Sequence, residues 1–167
     1  MDNAIREFAK HPMSGEELMR LAEGKIKIVT SNEICNYKSI DSLFQPYNAV
    51  IILYEKTRNN GHWVLLLNRP DVIEYFDPYG YKIDYPCELF RTPKCLTKLL
   101  SSSRINKKIQ YNAAKLQKLD KDVSSCGRWV ALRYILRNID LNKFINLFKN
   151  TKYPPDFYVT ALTMFVN

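Results

Sequence analysis

The sequence predicts an α+β domain, a central and mostly antiparallel sheet flanked by helices, on three observations. Strand-like apolar runs are grouped between residues 25 and 78. Helical spacing takes over from residue 126 to the C-terminus. Between them, "SSCG" at 124–127 puts a cysteine and a glycine where a loop turns into a helix. Strands followed by helices, without regular alternation, argue for α+β rather than a parallel α/β sheet.

Each element has a local cause. "MSGEELMRLAEG" predicts a helix with both ends marked: Ser14 and Glu17 form a capping box and Gly24 supplies the stop. "KIKIVT" alternates like a strand, and "NAVIILYE" reads as a fully buried one. "GHWVLLLN" and "DVIEYFDP" are two further strands. A turn and a short helix from Pro93 are expected between Cys87 and Ser103, and residues 106–119 read as strand or loop. Helices are then expected over 126–138, 141–149 and 154–166, the last with Asp156 as N-cap.

A chain of 167 residues, 46% hydrophobic and 13% aromatic, is read as one domain over 1–167 with a proper core. No run approaches the ~20 apolar residues of a membrane span. "MDNAIREFAK" lacks the apolar centre of a signal peptide, so a soluble, intracellular protein without membrane contact is expected. Four cysteines without a close pair, and only two histidines, argue against a metal site. In a reducing compartment the cysteines are expected as free thiols. The net charge of +8 favours contact with polyanions.

A reactive cysteine needs a base, and the base needs an orienting partner. His11 stands beside Pro12 before the first capped helix and reads as a surface residue. His62 opens a strand. The two strands joined around Arg69-Pro70 should form a hairpin, with Asn68 facing Asp71 and Leu67 facing Val72. Continued to the open end, that register sets His62 opposite Asp77, with Cβ atoms ~4.5–5.5 Å apart. Glu74 would face Leu65 on the other side of the sheet, so Asp77 is the expected partner.

Cys126 follows Ser124 and Ser125, natural N-cap residues, and should lie in the first turn of its helix. Backbone N–H groups and the helix dipole there favour a thiolate, lowering a pKa that starts at ~8.5. The Cys126 backbone N–H can donate to an oxyanion, and Gly127 leaves room for a substrate backbone. Cys35, Cys87 and Cys95 lack that combination and read as structural.

The order "GHW" at 61–63, "FDP" at 76–78, an upstream glutamine and "SSCG" at 124–127 resembles the adenain-like and ubiquitin-like-protein-specific cysteine proteases. The resemblance spans roughly Val50 to Leu136. Its length matches the compact viral members, which mature capsid proteins, better than the larger cellular enzymes that remove SUMO. The resemblance implies that His62 is the base, Asp77 orients it and Cys126 attacks. A glutamine would complete the oxyanion hole, and Trp63 would wall a narrow substrate channel with Gly127. The glutamine departs from the family pattern, because eight residues separate Gln117 from Cys126 where five to six are usual; Gln117 is chosen and Gln110 is second.

The function expected from the resemblance is a viral cysteine endopeptidase. It would cleave capsid or other structural precursors after glycine during virion maturation, in the virion and the host-cell cytoplasm (the virus factory). A monomer is expected that needs no cofactor, with activation by DNA or a peptide left open. A deubiquitinase or deSUMOylase-type isopeptidase is the alternative within the same chemistry. A basic nucleic-acid-binding module with a structural cysteine is the alternative from another class. Its signal is weaker, since the basic residues are scattered and no aromatic platform accompanies them. A protease with sequence-independent DNA contact reconciles both.

Overall fold

The computed structural model describes residues 2–103, 105–120 and 123–164. The expected helix end at Phe165–Val166 and part of the loop before Cys126, Lys121–Asp122, lie outside them.

The N-terminal residues form a helix that the sequence reading had not anticipated, α1 (Asp2–Lys10), which buries Ile5. The capped helix follows as α2 (Gly15–Leu21); both halves of the Ser14–Glu17 box are made, and Gly24 follows with φ +68°. After β1 (Lys27–Thr30) come a 3-10 turn at Glu33–Asn36 and α3 (Ile40–Phe44). β2 (Ala49–Thr57), β3 (Asn60–Asn68) and β4 (Val72–Phe76) form a meander. Then come α4 (Tyr85–Phe90), α5 (Cys95–Ser102) and β5 (Lys108–Tyr111). The C-terminal third is α6 (Cys126–Ile135), α7 (Leu141–Asn146) and α8 (Pro155–Thr163).

The sheet order is β1-β2-β3-β4-β5. Its three central strands are antiparallel, and each edge strand runs parallel to its neighbour. Alternation along β3 sends Leu65 and Leu67 to one face and Val64 and Leu66 to the other, so the strand is buried on both sides. The first face packs on α2, α6, α7 and α8, around Trp129 and Phe144. The second packs on α3 and α5, around Leu43 and Leu96. Apolar matter on both faces explains why these strands read as continuous apolar runs.

A fully buried ion pair fixes α6 to the sheet. Arg133 of α6 donates from Nε to Glu74 Oε1 at 2.7 Å and from Nη2 to Oε2 at 2.9 Å, and Arg69 Nε donates to Oε2 at 2.8 Å. A bidentate pair of this kind fixes orientation as well as distance. Glu74 thus lies away from His62, as its parity in the strand required.

Two expectations are corrected. The hairpin register is slipped by two residues: Asn68 pairs with Ile73 and Leu67 with Glu74. Pro70 does not suit a tight two-residue turn, and the chain instead spends four residues between the last paired positions, with Arg69 N–H donating to Val72 O. The four cysteines are not all free. Cys35 and Cys95 form a disulfide between the 3-10 turn and α5, joining residues 60 apart, and Cys87 and Cys126 are free.

Candidate active site

β3 delivers His62 at a place where the backbones of β2 and β3 nearly touch. A Cβ on the preceding Gly61 would stand 1.9 Å from the Tyr54 carbonyl oxygen, so only glycine fits there. The imidazole is buried, and Nε2 lies 3.0 Å from Asp77 Oδ1. With Nε2 committed to the carboxylate, Nδ1 is the ring nitrogen left over, and Cys126 is near enough to the imidazole to favour its charged form.

The slipped register explains how His62 meets Asp77. A shift of two keeps every side chain on its face. By the observed register Asp77 is offset two positions from His62, and the chain turns at residues 77–80, where the Gly80 N–H donates to the Asp77 carbonyl at 2.8 Å. The Tyr79 ring stacks on the imidazole with centroids 4.9 Å apart, and its N–H donates to Asp77 Oδ1 at 2.8 Å. Asp77 therefore reaches His62 diagonally from just beyond the end of β4. Asn112 secures it, accepting from the Asp77 N–H at 2.8 Å and donating to the Asp77 carbonyl.

Burial by itself would push the His62 pKa down. The Asp77 charge, its hydrogen bond and the contact with Cys126 outweigh that and lift it to about 10. At neutral pH the site thus favours an imidazolium beside the sulfur. Burial first, and then the neighbouring Cys126, pushes the Tyr79 phenol up as well, so it stays protonated.

Cys126 is the first residue of α6 and is 8% exposed. The expected serine cap is not made. Ser125 precedes the helix without capping it, and its hydroxyl donates to Asp156 Oδ1 instead. Asp156 is likewise not an N-cap: it lies in the first turn of α8, after Pro154, with its carboxylate turned inward. It accepts from Trp129 Nε1 at 2.8 Å and from the Lys118 N–H at 2.7 Å.

Gln117 is buried beside this arrangement. Its N–H donates to the Pro78 carbonyl at 2.9 Å, one residue past Asp77, and its side-chain Oε1 has no hydrogen-bond partner among the described residues. Gln110 lies in β5, paired with Glu74. Of the two glutamines, only Gln117 adjoins the turn after Asp77.

Trp63 and Gly127 are neighbours: a Cβ on Gly127 would stand 3.2 Å from Trp63 Cδ1. That same Cβ would stand 2.8 Å from Met13 Cβ, so on this side the glycine makes room for Met13. The Met13 carbonyl accepts from Trp63 Nε1 at 3.0 Å, and Ala9 O accepts from Ser124 N–H at 2.8 Å. The last turn of α1 therefore braces the loop before Cys126, and the segment after it braces Trp63. Trp63 continues into a groove of about 550 Å³ with Met19, Ile28 and Leu53 in its wall and Glu16 and Glu33 beside them.

Tyr79, Asn112, Met13 and the inward turn of Asp156 were not foreseen. Residues 77–80 form a turn and do not continue the strand, so strand alternation does not place Tyr79, and nothing local marks the other three.

The geometry sets a thiol at a helix N-terminus, an imidazole beside it, a carboxylate behind the imidazole and an amide nearby. That is a layout for nucleophilic attack on a carbonyl. No family model matches the chain. It is 29% identical over 175 residues to "Uncharacterized protein V9" of Sputnik virophage, across 96% of this chain and 98% of that protein. Its fold is similar to that of the ASFV pS273R protease, with a TM-score of 0.55 at 14% identity over 95% of this chain and 68% of that one. A selenomethionine form of that protease aligns over the same shares with a TM-score of 0.52 at 16% identity. The chain thus has a viral-protease-like α+β fold.

Proposed function

We propose that this chain is a viral cysteine endopeptidase that cleaves structural precursor proteins after glycine during particle maturation. The observation that carries the reading is the buried His62 Nε2 to Asp77 Oδ1 contact of 3.0 Å, with the Cys126 thiol near the same imidazole. A surface His–Asp pair has no reason to be buried against a free thiol at a helix start.

In the proposed reaction Asp77 holds the imidazole in orientation and Nδ1 holds the proton given up by Cys126. The sulfur attacks the scissile carbonyl, and the oxyanion is met by the Cys126 N–H and the Gln117 side-chain amide. His62 returns the proton to the leaving amine. Water then attacks the thioester, with His62 taking its proton, and the freed thiol closes the cycle. Trp63 walls the channel that admits glycine ahead of the bond. The working place is the virion and the virus factory, where the basic surface keeps the enzyme near packaged nucleic acid.

The test is cleavage of candidate capsid precursors and of ubiquitin-like fusions, with Cys126→Ala as control. Cleavage of the precursors after glycine supports the reading. Cleavage of the fusions alone favours an isopeptidase. If bulky residues before the scissile bond are cut faster than glycine, the glycine channel is wrong.

A further inference from the structure

The two arms assigned to the oxyanion hole arrive on separate stretches of chain. Gln117 stands at the end of the segment that follows β5, and Cys126 opens α6, with eight residues between them. A connection of that length does not by itself fix the distance between two donors. Yet stabilising an oxyanion depends on donors held about 2.7–3.1 Å from one point.

One carboxylate spans both stretches. Asp156 Oδ1 accepts from the Ser125 hydroxyl, one residue before Cys126, and from Trp129 Nε1 on the following turn of α6. Its Oδ2 accepts from the Lys118 N–H, one residue after Gln117. Asp156 is 6% exposed, and Ser125 and Trp129 are fully buried. Three donors converging in a buried place call for a group with two acceptor oxygens, which a carboxylate side chain supplies. Hydrogen bonds to a charged carboxylate are the strong ones. On its other side Gln117 is fixed by its own N–H and that of Leu116, both donating to Pro78 O. The glutamine is therefore suspended between the turn after Asp77 and the carboxylate of Asp156, while its side-chain Oε1 has no partner among the described residues. A buried amide oxygen left unpaired is uncommon in a group that serves packing alone.

We infer that Asp156 is a positioning residue, setting the Gln117 amide at a fixed distance from the Cys126 N–H by holding both segments on one carboxylate. The inference rests on the thiol mechanism proposed above. Asp156 touches neither substrate nor sulfur and acts through Gln117.

Asp156→Asn tests it. Asparagine keeps one acceptor oxygen for Ser125 and Trp129, and its NH2 then meets the Lys118 N–H donor to donor. With a Gly-Gly-aminomethylcoumarin peptide as probe, kcat is expected to fall about tenfold or more with KM within about twofold. The Lys118 amide should exchange with solvent at least about tenfold faster, with iodoacetamide labelling of Cys126 unchanged. In a Gln117→Ala background the same substitution should cost nothing further, because the group it positions is gone. Wild-type kcat in Asp156→Asn, losses that multiply in the double variant, or Cys126 labelling that falls in parallel with cleavage would each overturn the inference. If Asp156→Asn does not fold, Lys118→Pro deletes the same hydrogen bond from the other partner and is expected to show the same kcat loss; wild-type kcat there overturns it. If the wild type cleaves neither this probe nor the precursors, the proposed function fails. Amide exchange and labelling then still decide on the latch: faster Lys118 exchange with unchanged Cys126 labelling supports it, and unchanged exchange overturns it.

Discussion

His62 and Asp77 are hydrogen-bonded at 3.0 Å although they do not face each other in the sheet; the ladder between β3 and β4 ends at Leu65 and Phe76. The carboxylate reaches the imidazole along a diagonal, held by the Tyr79 N–H, while Asn112 fixes the Asp77 backbone. Asp77→Ala is therefore expected to cost less than His62→Ala. Stacking by Tyr79 still restrains the ring and water replaces part of the carboxylate. Losses of about 10²-fold for Asp77→Ala and 10³-fold or more for His62→Ala are expected in kcat/KM. Equal losses would assign Asp77 more than an orienting role.

Alkylation separates the cysteines. Cys35 and Cys95 are joined and should not react without reductant. Burial pushes the Cys87 thiol up to about 11, which keeps it protonated at pH 7.5. Cys126 faces an imidazole lifted to about 10, so its sulfur has a cation beside it. Iodoacetamide followed by peptide mass mapping should label Cys126 first, and comparable rates at Cys87 would remove it as nucleophile.

The pH dependence of stability follows from His62. Its folded pKa, about 10, lies above the ordinary 6.5. The stabilisation is then full below about pH 6.5 and is lost as pH rises through about 10. Urea midpoints of the wild type should fall across that window. In Asp77→Asn the raising charge is gone while burial stays, so the fall should be markedly smaller. An identical slope in both proteins would contradict the assignment.

Gly127→Ala tests the brace from the N-terminal segment. The new methyl would come within 2.8 Å of Met13 Cβ and 3.2 Å of Trp63 Cδ1, so Met13 has to move and its carbonyl leaves Trp63 Nε1. A loss of about 1–3 kcal/mol is expected by thermal or urea unfolding. Met13→Gly in the same chain should recover part of it by removing the colliding atom. No recovery would place the strain elsewhere.

The charge of +8 is expected to produce weak, sequence-independent DNA binding. Its log–log dependence on salt should have a slope of about one per phosphate contacted. Titration of labelled duplex at low and moderate salt measures it. No binding at low salt would leave the Lys and Arg residues as a solvated surface and the protease proposal intact.

Much of the outline was legible because its causes are local. The Ser14–Glu17 box, the apolar runs of β2 and β3 and the helical spacing after Cys126 are short-range patterns, and each yields the element it predicts. Strand parity was legible too. It survived a register error of two residues, because a side chain's face depends only on whether the shift is even.

What the sequence by itself determined is therefore the Ser14-capped helix, the first four strands and the helices from Cys126 on, the faces of β3 and β4 on which their side chains lie, and the candidate Cys, His and Asp. Only the tertiary structure decided how they are held. The register turned on the four residues that Pro70 makes the chain spend at the turn. Ser125 and Asp156 each looked like caps for their own helices, yet they bond to one another across 31 positions. Cys35 and Cys95 meet across 60. A short polar side chain or a thiol carries no mark of a distant partner. Packing two faces of one sheet brings such groups together, and a buried donor or acceptor then takes whatever partner the fold has placed within reach.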